Sequence, residues 1–514
     1  MVSLSMGTKI GAVRALGAFL EGAEAVMVRV EARFSPSETS GRTEVVVTGL
    51  PDAVLRETRR RLLDSLDECG LRVPQGRLLL HLVPAARPKR GDSLDLALTL
   101  AAAAACGHVD PARLEETLWL GEVGIDGALY AVPGGLAAAI AAAEAGVQEV
   151  IAPSATAHEA ACTGRVMARA ADLLRDAVAH AAGRELPVIE IEESGPEAPP
   201  SPAGLDEVKG QAAAKETLLV AAAGHHNVLF LGPPGSGKTM LAKRLAGLMP
   251  PPSLAERIEI TRVLSAAGRW PGGIARTRPF RAPHHTASHA ALVGGGPLVE
   301  PGEATLAHQG VLFLDELPEF RRETLEALRE PLESGELLIS RAHAKVMLPA
   351  RVLLAAAMNP CPCGWLGHPK MACRCNPNSI SRYRGRISGP FLDRIDLRVE
   401  VPPPSLDELL GRSRGATSPT EEELRERLER ASFTRAARGQ ELPNAALSPE
   451  ELFEWASLDT KGVSVLERAA ARGTWTARGL QVIRRVARTV ADLDGCSQIR
   501  SEHVAQAISL RPAL

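Results

Sequence analysis

The stretch Gly232 to Thr239, GPPGSGKT, constrains this chain more than any other. An apolar run, Asn227 to Leu231, precedes it, and a helix-compatible stretch, Met240 to Leu248, follows. Strand, glycine-rich loop and helix in that order form a cradle for a phosphate chain. Gly232, Gly235 and Gly237 let the backbone curl until its N–H groups point inward, with Pro233, Pro234 and Ser236 completing the loop. Lys238 brings a positive charge to the β- and γ-phosphates, and the Thr239 hydroxyl can hold Mg²⁺. The helix N-terminus adds a partial positive charge. The expected ligands are ATP and Mg²⁺, and the expected frame is an α/β core.

A second element makes the first hydrolytic. Val311 to Leu314 is an apolar strand that runs into Asp315 and Glu316. Asp315 can hold the Mg²⁺ through water, and Glu316 can orient and deprotonate the attacking water. A third apolar run, Val352 to Met358, ends at Asn359. An amide there can bind the γ-phosphate or position water.

The length of 514 residues leaves room for roughly three domains. Net charge is −2, so nucleic acid, if bound, must meet local basic patches. The N-terminal stretch lacks the apolar core of a secretory signal. Leu96 to Cys106 is too short to span a bilayer, which takes about 20 residues. The cytoplasm is the expected compartment, with no membrane partner.

Residues up to 186 alternate short strands and helices. Strands are expected at Val26 to Phe34, Thr43 to Leu50, Arg77 to Val83 and Glu149 to Ala152. Helices are expected at Asp52 to Glu68, Leu94 to Ala105 and Gly135 to Ala145, and a hairpin at Leu118 to Val132 around Asp126-Gly127. This α+β unit resembles the proteolytic domain of Lon proteases, with its ribosomal protein S5-like fold, most closely over Val132 to Leu136 and the helix that follows. Lon-type peptidases use a Ser-Lys dyad. Ala137 stands at the lysine position, and Ser93 lacks the small flanking residues of the Lon nucleophile. A serine without a base is a weak nucleophile. The unit is expected to be a scaffold or interaction module.

Residues 187–204 are rich in Pro, Glu and Ser and are expected to be a linker. An ATPase core then occupies 205–404, opening with a helix at Asp206 to Ala222. Arg276, Arg278, Arg281, His284, His285, His289 and Gly294 to Gly296 fill the long passage before Asp315. They suit either a polar surface loop or an insertion that projects toward a partner. Arg321 to Ser334 is expected to be helical, and Leu337 to Leu348 a hairpin with Arg341, His343 and Lys345 near its tip.

Cys361, Cys363, Cys373 and Cys375 form two Cys-x-Cys pairs that can supply a tetrahedral Zn²⁺ site, with His368 as a spare ligand. Reduced or redox-active thiols and a disulfide pair are the alternatives. Arg382 and Arg384 flank Tyr383 and suit either phosphate-backbone contact or a solvated helix end. Helices are expected at Glu421 to Arg435, Arg478 to Asp492 and Glu502 to Leu510, forming a helical lid over 405–514.

Several segments together resemble the YifB/ComM family of magnesium-chelatase-like AAA+ ATPases. They are Arg281-Ala-Pro-His-His285, Asn359-Pro-Cys-Pro-Cys-Gly364 and Gly389-Pro-Phe-Leu-Asp-Arg-Ile-Asp-Leu397. The match covers nearly the whole chain. It implies an AAA+ core with a C-terminal helical lid after the Lon-like domain, and a homo-hexameric ring. The resemblance makes Asn359 the sensor-1 residue and Arg394 an arginine delivered into the neighbouring subunit's ATP site. Arg478 becomes the sensor-2 arginine, in this clade often also facing the neighbour. It implies a helix-2 insert at about 263–306 and a pre-sensor-1 hairpin at about 337–348, both lining the pore. ComM proteins are branch-migration helicases of natural transformation, so DNA, touched by Arg281, Arg341, Lys345, Arg382 and Arg384, and recombination proteins are the implied partners. The rival readings are a chelatase motor subunit, a nucleotide-dependent scaffold and, least supported, a peptidase.

Overall fold

The computed structural model describes residues 12–37, 43–49, 52–85, 92–190, 204–296, 299–341, 344–409, 419–472 and 475–512. Alternating buried and exposed residues build its first sheet. β1 (Val13–Glu21) turns at Gly22 into β2 (Glu24–Pro36), paired antiparallel from Val13 opposite Ala32 to Glu21 opposite Glu24. There follow β3 (Glu44–Thr48), α1 (Asp52–Glu68), β4 (Gly76–Val83), α2 (Asp95–Ala105), β5 (Thr117–Trp119), β6 (Glu122–Val123), β7 (Leu129–Tyr130), α3 (Gly135–Glu144), β8 (Glu149–Ala152), α4 (Ser154–Ala161), β9 (Met167–Ala170) and α5 (Leu174–Ala181). The seven-stranded order is β3-β4-β2-β1-β5-β8-β9. All of α2 is buried, which is why that helix is alanine and leucine throughout.

Two expectations change here. The stretch from Leu118 to Val132 is not one hairpin. β5 joins the large sheet between β1 and β8, and only β6 and β7 pair around Asp126-Gly127. The start of the expected linker is anchored: Val188 bridges Arg169, and Ile189 N–H donates to Ala168. Most of the remainder, residues 191–203, lies outside the described residues.

The second sheet is wholly parallel. Its elements begin with α6 (Ala212–Gly224), β10 (Val228–Leu231), α7 (Lys238–Leu248), α8 (Leu254–Ala266) and β11 (Phe280–Arg281). They continue with α9 (His289–Val293), β12 (Gly294–Gly295), β13 (Glu300–Pro301), α10 (Glu303–Leu306) and β14 (Val311–Leu314). Then come α11 (Arg322–Ala327), α12 (Pro331–Ser334), β15 (Glu336–Arg341), β16 (Ala344–Pro349), β17 (Leu353–Met358), α13 (Pro377–Arg384), α14 (Gly389–Leu392) and β18 (Leu397–Glu400). The order is β11-β14-β17-β10-β18. β14 and β17 are buried at every position, as a parallel strand covered on both faces must be. Phe230 and Phe313 are fully enclosed, and truncating either to alanine should cost about 3–5 kcal/mol.

The opening helix starts at Ala212, not Asp206, because Gly210 and Gln211 both take positive φ. The expected helix over Arg321 to Ser334 is broken into α11 and α12. Pro331 cannot donate into a continuous helix and instead opens the second piece. The passage expected as one insertion contains β11, an edge strand of the main sheet. Beyond β11, the small β12–β13 hairpin lies between α9 and α10.

The helical end comprises α15 (Leu406–Leu409), α16 (Glu421–Ala437), α17 (Pro449–Trp455), α18 (Thr460–Arg472), α19 (Ala477–Leu493) and α20 (Ser501–Ser509). Capping boxes at Thr420 and Ser448 fix the starts of α16 and α17. Val482, Ile483, Val486 and Val490 of α19 share one apolar core with α6 and the parallel sheet.

The two sheets are joined through side chains. Ser265 of α8 donates to Glu159 Oε2 of α4 at 2.7 Å, and Gly135 N–H donates to the same oxygen at 2.9 Å. Burial raises the Glu159 pKa. Ala23, after the β1–β2 turn, packs with Val263 and Leu306. A Cβ on Gly22 would lie 2.6 Å from Val346 Cγ1 and 2.7 Å from Leu348 Cδ2. The first sheet therefore sits against the base of the β15–β16 hairpin.

Candidate active site

The loop after β10 opens at the C-terminal edge of the parallel sheet, where such folds bind ligands. Gly235 and Gly237 take φ of +74° and +92°, a conformation L side chains rarely adopt. Apart from the adjoining backbone, no atom lies within 4 Å of the Cβ either would carry. The space is a cavity of about 420 Å³ bounded by the loop, Asp315, Glu316 and Asn359. Ser236 Oγ on its wall is buried without a partner. A loop held open, with an unsatisfied hydroxyl and a lysine, fits a polyphosphate.

Lys238 Nζ donates to the Gly232 and Pro233 carbonyls at 2.8 and 2.9 Å, and to Asn359 Oδ1 at 3.3 Å. Burial lowers its pKa, against the opposing pull of Asp315 and Glu316. Thr239 Oγ1 donates to Asp315 Oδ2 at 2.8 Å, so the two expected Mg²⁺ partners already touch. Asp315 Oδ1 accepts the Glu316 N–H at 2.9 Å. Glu316 has φ of 53°, which turns the chain directly after β14.

Glu316 has a neighbour that the local sequence did not reveal. His285 Nδ1 lies 3.3 Å from Glu316 Oε2. The His285 ring packs on His284 at 4.1 Å and edge-on to Phe320 at 6.5 Å. The Arg-Ala-Pro-His-His segment begins at Arg281, the end of β11, and its last residue faces the Glu316 carboxylate. The only advance signal was its position upstream of a strand ending in Asp-Glu.

Arg394 and Arg478 are absent from the lining of this cavity. Arg394 Nη2 and Arg478 Nη1 instead meet one carboxylate, Glu333, at 2.6 and 2.7 Å.

The basic residues expected to touch DNA divide. Arg281 is committed to Glu303 through bonds of 2.6 and 2.7 Å, and that pairing raises its pKa, so it is a structural ion pair. Arg278, nearby, is buried against Glu256 and the Pro250 and Gln309 carbonyls. Arg384 is half-buried and donates to the Pro360 carbonyl. Arg382 and Lys345 are exposed. The Arg341 side chain and His343 lie outside the described residues.

The four clustered cysteines converge. Cys361 Sγ lies 3.4 Å from Cys363 Sγ and 3.6 Å from Cys373 Sγ, and all four sulfurs fall within 4.8 Å of one another. A disulfide needs about 2.05 Å, and all four thiols are free. Zinc–sulfur bonds of about 2.3 Å set tetrahedral sulfurs about 3.8 Å apart. The cluster can hold a metal ion. His368 does not join it: its Nδ1 accepts the Lys370 and Met371 N–H groups instead. A Cβ on Gly364, inside this loop, would lie 2.6 Å from Pro234 Cδ. The cysteine loop thus backs the phosphate loop.

The Lon-like nucleophile position is closed. Ser93 Oγ donates to the Ala18 carbonyl at 2.9 Å, and Ala137 is buried.

Comparison with known proteins agrees with this geometry. The family model described as magnesium chelatase, subunit ChlI, matches residues 204–409, and its C-terminal counterpart matches 418–511. A further model, subunit ChlI of Mg-chelatase, matches 35–156. Competence protein ComM of Haemophilus influenzae is 39% identical over 501 residues, 95% of each chain. The chain belongs to the YifB/ComM family of magnesium-chelatase-like AAA+ ATPases. YifB of Escherichia coli is 37% identical, again over 95% of both chains. The magnesium-chelatase 38 kDa subunit of Cereibacter sphaeroides is 25% identical over 38% of this chain and 58% of its own. Membership of this AAA+ family implies ATP and Mg²⁺ as ligands. Among its described residues no helix is long and apolar enough to cross a membrane.

Proposed function

We propose that this chain is an ATP-driven ring motor acting on branched DNA, a branch-migration helicase that serves recombination in natural transformation. The observation that carries the reading is a complete hydrolytic set on one side of the site and two arginines held away from it. Lys238, with the N–H groups of Gly232 to Thr239, binds the phosphates. Thr239 and Asp315 would hold Mg²⁺, which would supply Lewis-acid stabilisation of the charge on the reacting phosphate. Glu316 takes the proton of the attacking water, and Asn359 fixes the γ-phosphate. Arg394 and Arg478 complete the site of the next copy, so hydrolysis requires the ring. A hexamer fits that requirement.

Cys361, Cys363, Cys373 and Cys375 would hold a structural Zn²⁺, which would brace the wall behind Pro234. The division into 1–186, 205–404 and 405–514 assigns docking, hydrolysis and lid closure to successive units. Lys345 and Arg341 on the β15–β16 hairpin, with Arg382, meet the DNA backbone. Support for DNA comes from the relative's name, a competence protein, and from the exposed Lys345.

ATP turnover measured with and without forked DNA tests the reading. DNA should stimulate the wild type several-fold, and Glu316→Gln should bind DNA without turnover. A turnover indifferent to DNA, with no DNA binding, would leave the chelatase-motor reading, which the likeness to the 38 kDa subunit favours.

A further inference from the structure

Glu333 stands between two arginines that arrive from different parts of the chain. Arg394 follows α14 of the parallel-sheet unit, and Arg478 lies in the first turn of α19. One carboxylate oxygen takes each: Oε2 from Arg394 at 2.6 Å, Oε1 from Arg478 at 2.7 Å. Two cations on one anion leave a net positive charge. Arg394 Nε and Arg478 Nε are both buried with no hydrogen-bond partner. The Arg394 side chain is only 11% exposed, while Glu333 is 53% exposed. The group is thus a half-solvated, positively charged unit, the chemistry that takes a phosphate. The Arg478 bond, and then the Arg394 bond, hold the Glu333 carboxyl below the usual carboxylate range.

Glu333 also has a mechanical position. It lies in α12, and Gly335, at φ +76°, turns that helix straight into β15. A Cβ on Gly335 would meet Arg351 Cγ at 2.5 Å, so the turn is tight and specific.

We propose that Glu333 is the positioning residue that yokes Arg394 to Arg478 and presents both together to the phosphate chain of ATP bound on a neighbouring copy. The inference rests on the reading of these arginines as acting between subunits. Without Glu333 the two guanidiniums repel, and each must be ordered separately when the phosphate arrives. The loss then falls on turnover, while ATP binding at the chain's own phosphate loop is untouched.

Subunit mixing tests this. Glu333→Gln keeps the shape and removes the charge. Its turnover should fall about tenfold or more, with unchanged affinity for a fluorescent ATP analogue and unchanged melting temperature. Mixed with Lys238→Ala chains it should regain turnover, because a Glu333→Gln chain still offers an intact phosphate loop to the intact arginines of a Lys238→Ala chain. The same mixture made with Arg394→Ala is the control. If that control regains nothing, the between-subunit reading fails. If the control regains turnover and the Glu333→Gln mixture does not, or if Glu333→Gln alone is as active as wild type, the role of Glu333 is overturned. Should Glu333→Gln fail to fold, Glu333→Asp, which keeps the charge and shortens the reach, takes its place, with a smaller loss expected and the same overturning results.

Discussion

In both sheets a left-handed glycine turns a loop into a helix: Gly134, at φ 89°, before α3 and Gly237, at φ 92°, before α7. The backbone geometry is alike and the outcomes differ. Before α7 the cavity is about 420 Å³ and holds Lys238, Asp315 and Glu316. Before α3 it is about 10 Å³, walled by Ala18, Phe19, Leu20 and Ala138. A Cβ on Gly134 would lie 2.5 Å from Leu20 Cδ2, so an aliphatic side chain covers the helix start. A helix N-terminus alone is not a site. It becomes one where a cation, a carboxylate pair and open volume accompany it. The closed cleft has another use: Glu159 beside it, which accepts the Gly135 N–H, also accepts the Ser265 hydroxyl of the ATPase unit.

The contrast breaks most decisively at the open site. Lys238→Ala should abolish ATP binding. Glu316→Gln should keep binding and lower turnover by about 10²–10³-fold, since it removes the base and not the cradle. Fluorescent-nucleotide titration and phosphate release separate the two. Equal loss of binding in both variants would show that Glu316 serves the fold rather than the chemistry.

The closed site can be challenged by restoring what it lacks. Ala137→Lys should give no peptidase activity against unfolded casein. It should cost about 3 kcal/mol or more, because the ammonium would enter a place that is 2% exposed. Thermal unfolding reads the cost, and casein cleavage would refute the claim that the cleft is filled.

The cysteine loop should show an intermediate effect. Wild-type protein should carry about one zinc per chain by elemental analysis. Cys373→Ser or a strong chelator should remove it and lower the melting temperature by on the order of 5–10 °C. ATP affinity should weaken a few-fold, because Gly364 packs on Pro234. Full stability after metal removal would contradict the assignment.

A pH slope, spread over several units, comes from α2. Burial pushes the Asp95 carboxyl up to about 7, although Arg61 Nη2 lies 3.0 Å away. In the unfolded chain it titrates near 3.9. Between these values the folded protein keeps a proton that the unfolded chain has lost. Asp95 therefore makes stability fall as pH rises from about 4 to about 7, by at most about 1.4 kcal/mol per unit. Asp95→Asn should flatten that slope in melting curves taken across the range. An unchanged slope would place the titration elsewhere.

Much of the fold was legible because it is local. β10, β14 and β17 are uninterrupted apolar runs, and α1, α16 and α19 carry plain helical patterns. The phosphate loop and its Asp-Glu partner were legible through spacing. What escaped depends on partners distant in sequence. Arg281 looked available for DNA until Glu303 was found beside it. Arg278, read as part of a polar loop or projecting insertion, is buried against Glu256. Arg384 is tied to Pro360. The His285–Glu316 contact arises only when β11 takes its place beside β14. Glu333 sat in a stretch read as a plain helix, and Pro331 breaks that helix to aim it.

In the proposed mechanism, ATP spent at Lys238 and Glu316 moves DNA. Strand separation on a forked duplex, with wild type and Glu316→Gln side by side, tests it most directly. The wild type should unwind the fork in the presence of ATP and Mg²⁺, and Glu316→Gln should bind the fork and leave it intact. A wild type that hydrolyses ATP at the same rate with and without the fork, and never separates its strands, would contradict the claim.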